Sequence, residues 1–591
     1  MAVENLITEH IDIWTSAVKS KSTSGRGSSK KLELYGVKKL RELILELAVR
    51  GKLVPQDPSD EPASVLLERI AQEKAQLIKD KKIKRSKKLP PVAEEDIKDD
   101  LPLGWQVSRL GEFVSIIRGI TFPASAKHYE PESNLIACLR TANVQTQLDW
   151  DDLIYVERSY VKREEQMLAV GDIVMSMANS RELVGKVSYT YFLPKNLDVS
   201  FGGFLSVIRP YQLDSAFLMM VLRSPSVRDE LVGSSSQTTN IANISLEKLN
   251  PLVVSIPPLK EQHRIVDKVD ELMTLCDQLE QQTEASIEAH QVLVTTLLDT
   301  LTNSADADEL MQNWARISEH FDTLFTTEES IDQLKQTILQ LAVMGKLVPQ
   351  DPSDEPAAEL LKRIAEEKAQ LVKEKKIKKE KALPPISEDE KPFELPSGWE
   401  WCRLGSACKK LTDGSHNPPP NHEGGFPMLS CKEVYDGRID FSLASRFVDQ
   451  DGFDKENKRT AIKAGDVLLN IVASIGRSAI VPEKFPPFVL QRNVAVLDSE
   501  ISSEYLTEFL MSPMALNYYD KNAKGTAQKV IYLGKLSEML VPVPPQCEQD
   551  RIVKQLREMM DLCSKLKLWI TNAQVSQVQL ADAIVEQAVS P

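Results

Sequence analysis

Internal repetition constrains this chain more than any other feature. Residues 45–62 read LELAVRGKLVPQDPSDEP and residues 339–356 read LQLAVMGKLVPQDPSDEP, so 16 of 18 positions are identical. Unrelated segments of ordinary composition would agree at roughly one position. The agreement continues without a gap from LLERIAQEKAQLIKDKKIK (66–84) to LLKRIAEEKAQLVKEKKIK (360–378). One half of the chain has therefore been duplicated in tandem, and the fold must contain the same unit twice.

Matching blocks alternate with blocks that differ. LPLGWQVSRLG (101–111) matches LPSGWEWCRLG (395–405), and the two copies then diverge. Agreement returns where PPLKEQHRIVDKVDELMTLCDQL (257–279) meets PPQCEQDRIVKQLREMMDLCSKL (544–566). The predicted segments are a helical region 1–101, a first variable domain 102–256, a long central helix 257–304, a second helical region 305–395, a second variable domain 396–543 and a C-terminal long helix 544–591.

The two long helices carry an apolar seam. Apolar positions after each PPxxEQxRIV motif alternate four and three residues apart, which is the a/d spacing of a helix that packs on another helix. Each helix is expected to run for about 40 residues, or about 60 Å, a length that suits a spacer. The seam residues are Ile265, Val269, Leu272, Cys276, Leu279, Ile552, Leu556, Met559, Cys563 and Leu566.

Shorter helices precede each variable domain. Residues 35–50 and 330–344 have helical periodicity and are followed by Gly51 and Gly345, in keeping with the glycine preference of a left-handed C-cap. The charged helices that come next end in lysine runs. We interpret these runs as solvated helix ends, with contact to phosphates or to a partner as the alternative.

The variable domains show short β-rich runs between Gly and Pro breaks. Examples are GDIVMSM (171–177), GKVSYTYFL (185–193), GDVLLNIVAS (465–474) and NVAVL (493–497). The predicted fold class is α+β: two β-rich domains separated by long paired, coiled-coil-like helices, with pseudo-twofold symmetry from the tandem duplication.

Composition favours a cytoplasmic protein. The N-terminus lacks the apolar core of a secretion signal, and no stretch is apolar enough to insert into a membrane. The seven cysteines form no paired framework, so they are interpreted as reduced thiols. A net charge of −14 argues against autonomous nucleic-acid binding, although a basic partner can supply non-specific attraction while a few polar side chains read bases.

The doubled LAVxGKLVPQDPxDEPA, LPxGWxxxRLG and PPxxEQxRIV motifs resemble those of the specificity subunits of type I restriction and modification systems, in the branch with the GKLVPQDP repeat. The resemblance covers essentially the whole chain. It implies that each variable domain reads one half of a split, asymmetric site in double-stranded DNA, and that the helices set the gap between the halves. It also implies two modification (methyltransferase) subunits as partners, and ATP-dependent restriction subunits in the larger complex.

Base-reading residues are expected on loops at the rim of each variable domain, because loops enter a groove while strands hold them. A turn-forming or helix-capping role is the alternative for each residue. The candidates are Arg118, Thr121, Arg140, Asn143, Arg181, Gln237, Thr238, Asn240 and Asn243 in the first domain, and Thr412, Asp413, Ser415, His416, Lys432, Arg477, Arg492, Gln528 and Lys529 in the second.

Catalytic and metal motifs are weak. Residues 417–420 read NPPP, but the aromatic residue that follows Asn-Pro-Pro in adenine methyltransferases is missing, and a Walker A loop is also missing. Cys402, Cys408, Cys431, His416 and His422 lie close in sequence without the CxxC pairs of zinc sites. We therefore expect a non-catalytic chain with no cofactor or metal of its own, and S-adenosylmethionine, ATP and Mg on the partner subunits.

Two other classes of function compete with this interpretation. A fused restriction or methyltransferase enzyme would carry cofactor motifs. A scaffold whose two β-rich domains bind other proteins is opposed only by the family resemblance.

Overall fold

In a computed structural model the chain forms two compact units, one built from Met1–Ser286 with Ala573–Pro591 and the other from Ile287–Asn572. The structure describes residues 3–590 except 22–30, 81–82, 84–87, 94–96, 98–100, 182, 196, 234–235, 239–240, 378–381 and 526–527. Within the described ranges, no helix is both long enough and apolar enough to cross a membrane.

The first unit begins with helices and continues into the first variable domain. Its helices are α1 (Val3–Glu9), α2 (Ile11–Ser16), α3 (Tyr35–Val49), α4 (Ala63–Lys79), α5 (Leu110–Phe113), α6 (Ser215–Arg223), α7 (Pro225–Gly233) and α8 (Leu246–Leu249). Its strands are β1 (Lys19–Lys21), β2 (Lys31–Glu33), β3 (Gln106–Arg109), β4 (Val114–Arg118), β5 (Leu135–Leu139), β6 (Ile154–Glu157), β7 (Ile173–Ser176), β8 (Ala178–Asn179), β9 (Val187–Tyr189), β10 (Val199–Phe201), β11 (Leu205–Pro210), β12 (Ser236–Thr238), β13 (Ile241–Asn243) and β14 (Val253–Ile256).

Two helices of 44 residues each, α9 (Leu259–Thr302) and α19 (Gln546–Val589), follow the two variable domains. The remaining helices lie in the second unit and are α10 (Ala307–Glu319), α11 (Phe321–Leu324), α12 (Glu328–Val343), α13 (Ala357–Lys373), α14 (Leu404–Ala407), α15 (Gln450–Thr460), α16 (Ser503–Leu510), α17 (Pro513–Asn522) and α18 (Leu533–Ser537). Its strands are β15 (Glu400–Arg403), β16 (Cys408–Asp413), β17 (Phe426–Leu429), β18 (Val434–Tyr435), β19 (Arg438–Ile439), β20 (Phe447–Val448), β21 (Val467–Asn470), β22 (Ser478–Ile480), β23 (Val489–Leu490), β24 (Val494–Ser499) and β25 (Leu540–Val543).

The two variable domains share one sheet topology although their sequences differ. The first contains an antiparallel sheet of order β4-β11-β7-β9, and the second repeats it as β16-β24-β21-β22. A smaller sheet of order β10-β5-β6, with a parallel β10–β5 pair, recurs as β23-β17-β20 with a parallel β17–β23 pair. The duplication therefore extends through the segments in which sequence similarity is lost, and the α+β class with an internal repeat is confirmed.

The long helices bury their seams. Ile265, Leu272, Ile552 and Leu556 are at most 2% exposed. Burial is also nearly complete at Val269, Cys276 and Cys563, and partial at Leu279, Met559 and Leu566.

Each seam-bearing helix contacts a shorter helix of the same unit. In the second unit, the α19 seam shares a hydrophobic core with Leu334 and Ile338 of α12. Lys567 of α19 pairs with Asp332 of α12 at 2.6 Å, and in the first unit Arg41 of α3 pairs with Asp277 of α9 at 2.7 Å. The a/d pattern alone did not indicate α3 or α12 as the neighbour.

The duplicated motifs converge where each variable domain meets its long helix, a place we term the helix joint. At the first joint, Gln56 Nε2 donates to Gly51 O at 2.7 Å, Trp105 Nε1 donates to Glu261 Oε1 at 3.0 Å, and Arg264 pairs with Asp60 at 2.8 Å. At the second joint, Gln350, which corresponds to Gln56, donates to Gly345 O at 2.6 Å. Arg551, which corresponds to Arg264, pairs with Asp354 at 2.6 Å.

Glycine is required at the turn of each joint. Gly51 has φ +66°, and a Cβ there would lie 2.5 Å from Pro102 Cγ. Gly345 has φ +70°, and its Cβ would lie 2.4 Å from Pro396 Cγ. Because both a left-handed backbone and close packing exclude a side chain, the duplicated motif is explained by the geometry that anchors each variable domain to a helix.

Candidate nucleic-acid interface

The candidate loops of the first variable domain meet at one edge of its main sheet. Strand β4 ends at Arg118 opposite Ser206, and β11 begins at Leu205 opposite Ser176, the last residue of β7. The loop after β7 stays at this edge, because Met177 N donates to Phe204 O at 2.9 Å. The β12–β13 hairpin is attached there through its pairing with β8.

Four first-domain candidates have exposed side chains: Arg118, Thr121, Arg181 and Asn243. Gln237 and Thr238 have their backbone in β12, but their side chains lie outside the described residues. Asn240 lies outside the described residues altogether.

The other two first-domain candidates have intramolecular partners. Arg140 is half-buried and donates to the Asp152 carboxylate at 2.7 Å. Asn143 is 2% exposed; its Oδ1 accepts from the backbone N–H of Arg140 at 2.8 Å, and its Nδ2 donates to Asp149 O and Asp151 O, each at 3.1 Å. The structure thus gives Asn143 the alternative role, which is to shape its own loop.

The same sheet edge gathers the second-domain candidates. Ala495 of β24 lies opposite Asp413 at the end of β16, and Ala473, just beyond β21, donates its N–H to Lys529 O at 3.0 Å. Thr412 is half-buried, and Lys529 pairs with Asp520. The candidates with exposed side chains are His416, Lys432, Arg477, Arg492, Gln528 and Lys529.

Buried partners hold two residues of the TDGSH loop. Asp413, 7% exposed, accepts from His416 Nε2 at 2.8 Å and also from the Arg459 guanidinium. Ser415, 3% exposed, donates to Glu456 Oε1 at 2.9 Å. Both contacts to residues 456 and 459 tie the loop to helix α15. Asp413 and Ser415 therefore position the loop, while His416 is the part of it that faces solvent.

Comparison with known proteins agrees with this architecture. The family model described as "Type I restriction modification DNA specificity domain" matches residues 102–289 and 396–574, more than half of the chain. The chain belongs to this family. Such specificity subunits are the non-catalytic DNA-recognition components of restriction and modification complexes.

Two curated relatives align over their whole length. The type I restriction enzyme EcoAI specificity subunit of Escherichia coli is 43% identical over 604 residues, with 100% of both chains covered. The EcoEI specificity subunit of Escherichia coli is 40% identical over 624 residues, again with 100% of both covered. The solved HsdS subunit from Thermoanaerobacter tengcongensis is 18% identical, covers 83% of this chain and 98% of its own, and superposes with a TM-score of 0.37.

The sequence did not single out two residues beside the candidate loops of this specificity subunit. Phe204 is 68% exposed beside these loops. It was not selected from the sequence because the candidates for base reading were polar residues. Asn470 is fully buried and donates to Cys431 O and Val434 O at 3.1 Å, while its Oδ1 has no hydrogen-bond partner among the described residues. Asn470 follows a hydrophobic strand run, and a polar residue there was the signal that could have marked it.

The cysteine and histidine cluster is dispersed in the fold. Cys402 lies buried in β15, and burial raises the pKa of its thiol to about 12. Cys408 is buried at the start of β16, and Cys431 lies in the loop after β17. Over the part of the chain that the structure describes, no three His, Cys, Asp or Glu side chains are placed to share a metal ion.

Proposed function

We propose that each variable domain reads one half of a bipartite, asymmetric DNA site. The observation that carries this proposal is the common edge of each main sheet, where exposed polar and cationic side chains from separate loops converge. The equivalent edges present different residues, Arg118, Thr121 and Arg181 in one domain and His416, Arg477 and Arg492 in the other. Unlike surfaces on the same scaffold are expected to select unlike half-sites, because base readout depends on the side chains offered to the groove.

We propose further that α9 and α19 set the spacing between the half-sites and dock the methyltransferase subunits. Each helix of 44 residues is about 66 Å long at 1.5 Å per residue. Large apolar side chains remain exposed on α19, with Trp569 at 70%, Leu568 at 63% and Leu562 at 59%. An exposed apolar stripe is typical of a surface that is covered by a partner.

In this proposal the chain directs chemistry that its partners perform. The methyltransferase subunits would carry S-adenosylmethionine and modify adenine, and the restriction subunits would use ATP and Mg. Double-stranded DNA and these subunits are the proposed partners of a complex in the cytoplasm.

Methylation mapping tests the proposal. We would express the chain with its methyltransferase subunit in a methylation-free host and locate modified adenines by single-molecule sequencing. The expected result is a split motif with two unlike half-sites at a fixed separation, which disappears without this chain. Absence of methylation from an active partner in a stable complex would overturn it and favour the protein-binding scaffold.

A further inference from the structure

A concave pocket lies beside the loops of the first variable domain and has no role in the contacts described so far. Its volume is about 510 Å³, within the range of about 300–1,000 Å³ in which proteins bind small ligands. Ile120, Leu139, Ile154 and Leu205 form an apolar lining. Residues 202–204, with sequence GGF, form part of its wall and include the exposed Phe204.

Polar and cationic groups accompany this apolar lining. Lys127, Arg140 and the hydroxyl-bearing Thr121 and Thr141 all line the pocket. The Nε of Arg140 is buried and has no hydrogen-bond partner among the described residues, although its terminal nitrogen pairs with Asp152. The pairing with Asp152 holds the Arg140 guanidinium at the wall of the pocket, so the wall carries positive charge there.

We propose that this pocket receives a single base extruded from the DNA half-site that the first variable domain reads. The inference rests on the proposed function. A base that remains paired can only touch the rim of a concave pocket, whereas an extruded base can enter it and stack on aromatic or apolar side chains. Phe204 and Phe122 supply aromatic surfaces for stacking, and Lys127 and Arg140 supply positive charge at the wall of the pocket.

The residues that form the wall of this pocket differ between the two variable domains. Gly202 and Gln491 occupy the same place, since their backbone N–H groups donate to Leu139 O at 2.9 Å and Leu429 O at 2.8 Å, respectively. The sequence that follows is Gly203-Phe204 in the first domain and Arg492-Asn493 in the second. Side chains replace the two glycines in the second domain, so base extrusion is predicted only at the first half-site.

Mismatch scanning on the complex of this chain with its methyltransferase subunits tests the inference. At each position of the first half-site, one base is kept and its partner is replaced by a mismatched base, and affinity is measured by competition. Extrusion costs least for a mismatched base, so wild type should gain roughly tenfold in affinity at one position. An adenine methyltransferase also extrudes its own target, and the gain at that adenine serves as an internal positive control.

The variants separate stacking in the pocket from other causes. F204A should lose the extra gain and keep the gain at the target adenine, whereas F204W should retain both. F192A is the matched control, because Phe192 is 57% exposed, has its ring centroid 5.8 Å from that of Trp150 and follows the opposite end of β9.

The inference would be overturned if no additional position gains affinity, if the gain persists in F204A, or if F192A loses the gain equally. A loss of affinity in F204A without any mismatch gain would also overturn it, since that result indicates a groove contact or an apolar contact to a partner. Failure of the proposed function is distinguishable, because wild type would then show no split methylation site at all.

Discussion

The two variable domains have the same sheet topology, but the buried aspartate at the equivalent position of each domain is paired differently. In each main sheet an aspartate follows a left-handed glycine, Asp172 in the first domain and Asp466 in the second, and both are 1% exposed. Arg209 binds Asp172 through two contacts of 2.6 and 2.7 Å, whereas Lys410 approaches Asp466 only to 3.6 Å. Asp466 Oδ1 also lacks a hydrogen-bond partner among the described residues. One topology therefore tolerates both a bidentate pair and a loosely paired carboxylate.

Removing the positively charged partner of the buried aspartate should destabilise the first domain more than the second. Arg209→Met leaves a buried carboxylate without its bidentate partner and is expected to destabilise that domain by roughly 3 kcal/mol. Lys410→Met should cost less, about 1 kcal/mol, because the contact is longer and because Asp466, whose pKa burial already raises, can take up a proton when the cation is removed. Hydrogen exchange with mass spectrometry on the full chain checks this prediction, since β7 and β11 can be compared directly with β21 and β24.

Arg209→Lys is the matched control for charge. It keeps the cation but not the two parallel N–H donors, so an intermediate loss is expected. Equal destabilisation by Arg209→Met and Lys410→Met would show that the geometry of the pair does not distinguish the domains.

Gly119 and Gly414, next to the candidate loops, test whether both domains require the same close backbone contact. A Cβ on Gly119 would lie 2.2 Å from Gly202 O, and one on Gly414 would lie 2.3 Å from Gln491 O. The backbone must move in either case, so Gly119→Ala and Gly414→Ala should each cost about 2 kcal/mol. Denaturant-dependent exchange at β4 and β16 measures both losses in the same sample.

Helical glycines provide controls in each unit. Outside the chain neighbours and the backbone of its own helix, neither Gly233 in α7 nor Gly534 in α18 would place a Cβ within 4 Å of an atom. Their alanine variants are expected to change stability by no more than about 0.5 kcal/mol. A loss at Gly119 without a loss at Gly414 would mean that the close approach of the two loops is not a common requirement.

The sequence predicted the seams well because their spacing is local. Ile265 and Ile552 belong to a periodic pattern that a helix reads out directly, and both are buried as expected. The sheet order and the fate of the TDGSH loop depend on residues that are distant in the chain. Asp413 is buried because Arg459 on α15, 46 residues later, pairs with it, and no pattern around position 413 records that contact.

The candidate site combines local and non-local features in the same way. Arg118 and Arg492 were identified as candidates because polar residues at the ends of predicted strands can be recognised in the sequence. It also selected Asn143, whose side chain instead holds its loop, because a loop-shaping amide and a base-reading amide look alike in sequence. The pocket beside Phe204 was not predicted because its shape depends on Gly202 and Gly203, whose nearest neighbours are Leu139 and residues 120–121, far away in the chain.

Exposed arginines at equivalent edges test whether each domain reads its own half-site. Arg118→Ala is expected to relax selection at one position of the first half-site by about 1–3 kcal/mol, and Arg492→Ala to do so only in the second. Methylation maps of the two variants, with competition binding by single-base variants of the site, measure this. Uniform weakening across all sequences would instead identify a phosphate contact.

The smallest predicted effect is the pH dependence of stability that arises from Asp466, the loosely paired carboxylate. Burial raises the pKa of Asp466, and Lys410 only partly opposes the shift. The folded state then binds a proton at Asp466 more readily than the unfolded state does. The contribution of this group to stability is therefore largest below the ordinary aspartate pKa and is lost as pH rises through the raised value. Asp466→Asn removes the titrating group and should flatten this slope at β21 when exchange is measured across that window. An unchanged slope in the variant would show that another group titrates there, and the two domains would then differ in geometry without differing in their response to pH.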